Sequence, residues 1–319
     1  MKIYCAAADR YHHSETLYAR CGQSGVLLPK ICLGLWQNFG SIDPFERSRA
    51  ITHYAFDHGI THFDLANNYG PIPGSAEETM GRLIDEDFRP YRDELFISTK
   101  AGYGMWEGPY GDWGSRKYLM ASLDQSLRRM HLDYVDLFYS HRYDPLTPVE
   151  ETAQALVDIV RSGKALYAGI SNWPLEPLKI AEQYLRERDV PLLIYQGRLN
   201  MIDREPQDTG ITAFCKEHGI GFISYSPLAQ GLLTDRYLHG VPQDSRMARC
   251  DFLKEDMLTP ELLSRLRSWQ DEAVAQGQTL AEKSLRWILQ QDGVTSVLVG
   301  ASSVEQLKKN MRCTLPNKQ

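Results

Sequence analysis

The chain predicts an α/β architecture: a closed (β/α)8 (TIM) barrel of eight parallel strands alternating with helices. Three observations predict it. Short apolar runs recur with helix-length segments between them, the pattern of parallel strands joined by helical crossovers. Six of these runs stop on polar side chains of reactive kinds. Ile60 to Phe63 stops at Asp64, Leu95 to Thr99 at Lys100, and Val135 to Ser140 at His141. Leu166 to Ile170 stops at Ser171-Asn172, Leu192 to Tyr195 at Gln196, and Phe222 to Ser224 at Tyr225-Ser226. In a barrel the strand C-terminal ends share one mouth, where active sites lie. Finally, 319 residues suit one such barrel, typically about 250 residues plus insertions.

The elements follow in order. Residues 17–29 read as a hairpin: Leu17 to Cys21, the turn Gly22-Gln23-Ser24-Gly25, then Val26-Leu27-Leu28. Placed before the first barrel strand, it is expected to cover the barrel bottom. Strand one is Ile31 to Gly34. The first helix runs from about Pro44 to Asp57, with Asp43 as N-cap and Gly59 as its stop. Helix two begins near Ser75, where Ser75-Ala76-Glu77-Glu78 has capping-box spacing. Helix three follows Ser115, with Leu119, Leu123, Leu127 and Met130 three or four apart. Helices four and five start after Pro148 and Pro174, and helix six runs from near Thr209 to His218-Gly219. Beyond Tyr225-Ser226 the alternation gives way to an irregular stretch, 227–259, which reads as a functional loop. Two helical segments, Pro260 to Gln276 and Leu280 to Gln291, precede the last strand, Ser296 to Val299. With no linker, repeat or low-complexity tract, residues 1–319 read as one domain.

Composition narrows the function class. The chain is 43% hydrophobic and 24% charged, so a large core is available. A net charge of −6 leaves no basic surplus for phosphates, which argues against nucleic acid as a partner. The six cysteines lack Cys-x-x-Cys pairing and metal-finger spacing, so they read as reduced thiols, with no metal site expected. Asp9, Arg10 and His12-His13 interrupt any leader core, and no apolar run reaches the roughly 20 residues that span a bilayer. A cytoplasmic protein without a membrane partner is expected, and a homo-oligomer is compatible with the sequence.

The chemistry concentrates in four residues. Asp64 and Tyr69 lie five residues apart past strand two, while Lys100 and His141 end strands three and four. Neighbouring strands are about 4.8 Å apart, so the four side chains can meet. A tyrosine with an ordinary pKa near 10 is a poor acid at neutral pH unless a cation stabilises its phenolate. Lys100 can supply that cation, Asp64 can hold the ammonium, and His141 can orient a carbonyl oxygen. Such a set suits protonation of an oxygen as it becomes an alkoxide.

This tetrad, preceded by Gly34-Leu35-Trp36, resembles the aldo-keto reductase superfamily. Finer matches resemble the branch of potassium-channel β subunits and bacterial L-glyceraldehyde 3-phosphate (methylglyoxal) reductases. They are Phe63 to Pro71, Ser98-Thr99-Lys100-Ala101-Gly102-Tyr103, Gly114 to Tyr118, Ser226 to Leu233, and Gln243-Asp244-Ser245-Arg246. The ordered series covers nearly the whole chain.

The resemblance implies reduction of small aldehydes with NADP(H), Tyr69 acting as general acid, Lys100 and Asp64 tuning it, and His141 orienting the substrate. It implies that Trp36, Ser171, Asn172 and Gln196 hold the nicotinamide end, with Tyr225 stacked on the ring. Ser226, Leu228, Gln230 and Gly231 would line the pyrophosphate path, with Arg236 and Arg246 supplying charge. Gly300, Ser302, Gln306 and Asn310 would form the adenosine end, Ser302 meeting the 2′-phosphate. Trp36, Tyr69, Trp106, His141 and Arg142 are the substrate-side candidates, Arg142 for an anionic group. The loop carrying Tyr103, Trp106, Tyr110 and Trp113 reads either as a pocket wall or as a packed loop.

Two features depart from the family pattern. Lys309 stands where this branch usually has Glu, and the chain stops at Gln319, soon after the cofactor helix. A regulatory, cofactor-binding β subunit is the alternative function, against which His141 argues, because the channel branch often carries Asn there. A Schiff-base aldolase using Lys100 is a third reading, opposed by Asp64, which would keep the lysine protonated.

Overall fold

The computed structural model describes residues 4–12, 14–238, 240 and 257–314. An antiparallel hairpin, β1 (Tyr18–Arg20) and β2 (Leu27–Pro29), precedes eight parallel strands that close on themselves. These are β3 (Ile31–Gly34), β4 (His62–Asp64), β5 (Phe96–Ala101), β6 (Val135–Ser140), β7 (Ala165–Ser171), β8 (Leu192–Arg198), β9 (Gly221–Tyr225) and β10 (Val294–Val299). They follow one another around the barrel in chain order, and β10 pairs with β3 to complete it. The predicted barrel is what the chain forms.

The outer helices are α1 (Phe45–Asp57), α2 (Ser75–Leu83), α3 (Arg116–Met130), α4 (Val149–Arg161), α5 (Leu175–Arg186), α6 (Ile211–Glu217), α7 (Pro260–Ala275), α8 (Leu280–Leu289) and α9 (Val304–Met311). Most turn an apolar stripe toward the strands, as α3 does in burying Leu119, Leu123, Leu127 and Met130, spaced as expected. That packing forms the larger core, between helices and barrel. A smaller core fills the barrel floor, where Cys21 and Leu28 of the hairpin region join Cys32, Leu137, Tyr139, Ile223 and Leu298. The hairpin thus plugs the bottom, anchored by Gln23 N–H donating to the Gly219 carbonyl at 2.9 Å. Only glycine fits at position 22: its φ is +55°, and a Cβ would stand 1.9 Å from the Gly219 oxygen.

Two expected caps are not formed. At α1 the N-cap is Pro44, and Asp43 instead pairs with Arg47. The helix begins one residue later than expected, at Phe45, and the Asp43 carboxylate is engaged by the Arg47 guanidinium instead of the first helical N–H groups. At α2 the N-cap is Gly74, in the left-handed region, and Ser75 is already helical. Glu77 turns inward, taking a bond from Thr99 Oγ1 at 2.5 Å and an ion pair from Arg129 at 2.8 Å. The reciprocal capping box lies at α8, where Thr279 Oγ1 accepts from Glu282 N–H at 3.1 Å and Glu282 accepts from Thr279 N–H at 2.8 Å. Among the described residues no helix is long and apolar enough to cross a membrane.

Candidate active site

Strand registers bring the site together. Asp64 of β4 is opposite Ser98 of β5, and Lys100 opposite Tyr139 of β6. Because side chains alternate, Ser98 and Lys100 share the face that looks into the barrel. Lys100 is fully buried, its ammonium 2.5 Å from Asp64 Oδ2, 2.7 Å from the Leu65 carbonyl and 3.4 Å from the Tyr69 hydroxyl. The other carboxylate oxygen of Asp64 accepts from Ser98 Oγ at 2.7 Å and Gln196 Nε2 at 3.2 Å. Tyr69 and His141 meet edge to face, with ring centroids 5.8 Å apart, and Trp36 is tilted 6.3 Å from the Tyr69 ring. The four expected reactive side chains therefore surround one point at the mouth.

The electrostatics differ from the sequence expectation in one respect. Burial pushes the Tyr69 phenol well above its ordinary pKa, and the Asp64 charge adds to this. Lys100 does not offset this rise, because its charge is largely matched by Asp64 at contact distance; burial also lowers its own pKa, against the pull of Asp64. Tyr69 thus keeps its proton at every ordinary pH. An alkoxide is a stronger base than a phenolate, so a developing alkoxide can still take that proton. Burial drives His141 well below its usual range, helped by the Lys100 and Arg142 charges, so its imidazole is neutral. Its Nδ1 is buried with no protein partner. Gly102 leaves room for this ring: a Cβ there would come within 2.9 Å of His141 Cβ.

The remaining candidates fall into three groups. At the ends of β7, β8 and β9, Asn172 (φ +56°) donates to the His141 carbonyl and to Ser171 Oγ, both at 3.0 Å. It accepts from the Tyr225 hydroxyl at 2.7 Å. Ser226, Ala229, Gln230 and Gly231 all have positive φ, and Asn200 Nδ2 holds the Ser226 carbonyl at 3.1 Å. Leu228 lies in this same turn, whereas Arg236 is exposed on the next one, Asp235–Tyr237. Arg246 lies outside the described residues. After β10 come Gly300 and Ser302, whose N–H and hydroxyl both donate to Gln306 Oε1, at 2.7 and 2.9 Å. The N-cap of α9 is Ser303, and Asn310 Nδ2 on that helix is buried without a partner.

This set fits a dinucleotide. The Ser171, Asn172 and Gln196 amide and hydroxyl groups suit a carboxamide beside the Tyr225 ring. The orphaned Asn310 amide, in the last turn of α9, offers a donor for a base nitrogen, and the exposed N-terminus of the same helix, capped by Ser303, suits phosphate.

On the substrate side, Arg142 is already engaged. Its Nε donates to the Gly102 carbonyl at 2.5 Å, its terminal nitrogen to Asp112 at 2.7 Å, and its plane lies over Tyr103 and Trp113. It ties the strand-five loop to β6. Trp106 packs on Tyr118, with centroids 5.1 Å apart. Two residues escaped the sequence reading. Arg198 is exposed at the end of β8 with its guanidinium 5.8 Å from the Tyr225 ring centroid. His62 is completely buried two residues before Asp64. Alternation along β4 was the available signal for His62, since i and i−2 share a face.

A family model described as the aldo/keto reductase family matches residues 30–318. The L-glyceraldehyde 3-phosphate reductase of Escherichia coli K12 is 54% identical over 314 residues, covering 97% of this chain and 90% of that protein. A probable voltage-gated potassium channel subunit beta of Arabidopsis thaliana is 34% identical over 300 residues, 92% of this chain and 90% of that one. Its Oryza sativa counterpart is 32% identical over 299 residues, with the same shares covered. With the tetrad geometry and the barrel, these matches establish that the chain belongs to the aldo/keto reductase family.

Proposed function

We propose that this chain reduces small polar aldehydes, of the glyceraldehyde 3-phosphate and methylglyoxal class, using NADPH. The observation that carries the reading is the Asp64–Lys100–Tyr69 chain at the barrel mouth, facing a neutral His141. The bound cofactor supplies the hydride. The protein's part is to fix the carbonyl and deliver a proton. Neutral His141 presents an N–H to the carbonyl oxygen without itself becoming charged. Tyr69 donates its phenolic proton as that oxygen becomes basic. The Lys100 ammonium, 3.4 Å from the hydroxyl, stabilises the phenolate left behind, and Asp64 keeps that ammonium in place.

NADPH over NADH is supported by Lys308 and Lys309 in the last turn of α9, the helix of the expected adenosine end, and by the family resemblance that gives Arg246 to the cofactor phosphates. The small-aldehyde preference is supported by greater identity to the glyceraldehyde phosphate reductase than to the channel subunits. The aromatic loop clamped by Arg142 gives it a physical basis. Comparing kcat/KM for methylglyoxal and glyceraldehyde 3-phosphate with that for a bulky aromatic aldehyde tests the proposal. A preference for the bulky substrate would overturn the substrate class. Failure to oxidise NADPH with any aldehyde, while still binding it, would favour a regulatory subunit.

A further inference from the structure

The inward face of β3, β4, β5 and β10 carries a column of polar side chains where barrels normally stack branched aliphatics. Cys32, His62, Ser98 and Ser296 are all completely buried. His62 Nε2 is 2.9 Å from Ser98 Oγ, His62 Nδ1 is 3.0 Å from Cys32 Sγ, and Ser296 Oγ donates to the Pro29 carbonyl at 2.6 Å. Cys32 Sγ also lies 2.8 Å from Ser296 Oγ. The top of the column is Ser98 Oγ, donating to Asp64 at 2.7 Å.

The hydrogen count orients the chain. Ser98 has one hydroxyl hydrogen, and an ionised carboxylate can only accept, so Ser98 donates that hydrogen to Asp64. The ring nitrogen facing Ser98 must then be the donor, which makes His62 the Nε2–H tautomer. His62 is neutral, its pKa lowered to about 4 chiefly by burial, with Lys100 adding to this and Asp64 opposing it. Its Nδ1 is therefore an acceptor; the Cys32 thiol, which burial keeps protonated, lies 3.0 Å from it and also has the Pro29 carbonyl within reach at 3.6 Å. Imidazole and hydroxyl both point their hydrogens upward, toward Asp64. In the other tautomer, His62 Nε2 would compete with Asp64 for the Ser98 hydrogen.

We propose that His62 is a positioning residue for carbonyl reduction. From inside the barrel it commits the Ser98 hydroxyl to Asp64 Oδ1, so that Oδ2 stays directed at Lys100 and the ammonium stays beneath Tyr69. Apolar side chains would fill the same volume without the cost of burying polar groups. The column instead ends on the one carboxylate that holds the Lys100 cation. The proposal rests on the reading of Asp64, Lys100 and Tyr69 given above.

The test compares His62→Gln, which keeps a donor at similar reach, with His62→Met, which keeps the volume and loses the donor, and with Ser98→Ala. NADPH binding, followed by protein fluorescence quenching, establishes that each variant is folded. We expect His62→Met and Ser98→Ala each to lower kcat for methylglyoxal by about tenfold, with KM changed by less than about threefold. The double variant should be no worse than the poorer single one, because both act through the same bond. His62→Gln should recover activity to within about threefold of the parent. Equal impairment of His62→Gln and His62→Met would mean that shape, not the donor, matters, and would overturn the proposal. So would additive losses, or a His62→Met kcat within twofold of the parent. If His62→Met does not fold, Ser98→Ala decides, and a kcat within twofold of the parent refutes the role. A Tyr69→Phe control separates the two levels: if it is active the acid assignment fails, whereas a dead Tyr69→Phe beside an unimpaired Ser98→Ala fails His62 alone.

Discussion

Replacing Tyr69 by Phe removes one oxygen from the mouth and should remove most of the activity. The fold should tolerate the change. The hydroxyl is reached by Lys100 Nζ at 3.4 Å, the outer limit of a hydrogen bond, and the ammonium keeps Asp64 and the Leu65 carbonyl as closer partners. Loss of so long a bond costs stability about 1–2 kcal/mol, the low end for a bond to a charged group. The Phe ring can keep the edge-to-face contact with His141. Catalysis has no such reserve. His141 is a neutral imidazole held far below its ordinary pKa, so it is not a stored acid, and the Lys100 ammonium, beneath the Tyr69 ring, is held by Asp64 and the Leu65 carbonyl. A positioned general acid contributes typically 10²–10⁴-fold, so kcat should drop by at least about a hundredfold, or roughly 2.7 kcal/mol in barrier. The assay is aldehyde-dependent NADPH oxidation, with cofactor affinity measured in parallel and expected to change less than about threefold. Residual activity within tenfold of the parent would show that another group supplies the proton.

Three further outcomes are expected. Arg246→Ala should weaken NADPH much more than NADH in binding titrations; equal losses would move that arginine to the shared pyrophosphate. Stability should fall as pH drops from about 6.5 toward 4, because the unfolded chain then takes up a proton that buried His62 refuses, an effect worth about 3 kcal/mol for the drop from 6.5 to about 4. Urea unfolding across that window should show a flatter slope for His62→Gln, and an unchanged slope would count against the assignment. Arg142→Ala should raise KM for bulky and small aldehydes alike, since it frees the loop that Asp112, Tyr103 and Trp113 hold to β6. A KM increase confined to phosphorylated aldehydes would instead show direct contact with the substrate anion.

The barrel and the position of its mouth were legible in the chain itself. Apolar runs of strand length, each ending on Asp64, Lys100, His141, Gln196 or Tyr225, require only local periodicity to be recognised, and a closed parallel sheet necessarily gathers their ends. Helix starts were legible where a side chain meets its own next turn, as at Ser115. They misled where a neighbour took the cap position: Pro44 displaced Asp43, and Gly74, which adopts the left-handed conformation at no steric cost, displaced Ser75 as partner of Glu78. Charge states were the tertiary structure's to decide. That Lys100 spends its charge on Asp64, and that Tyr69 stays firmly protonated, depends on a dielectric set by complete burial. The same holds for Arg142, an open cation in sequence and a sandwiched clamp in space. The polar column under Asp64 lay furthest from view. Cys32 and Ser296 stand 264 residues apart, and only closure of β10 on β3 brings them within reach of each other and of His62.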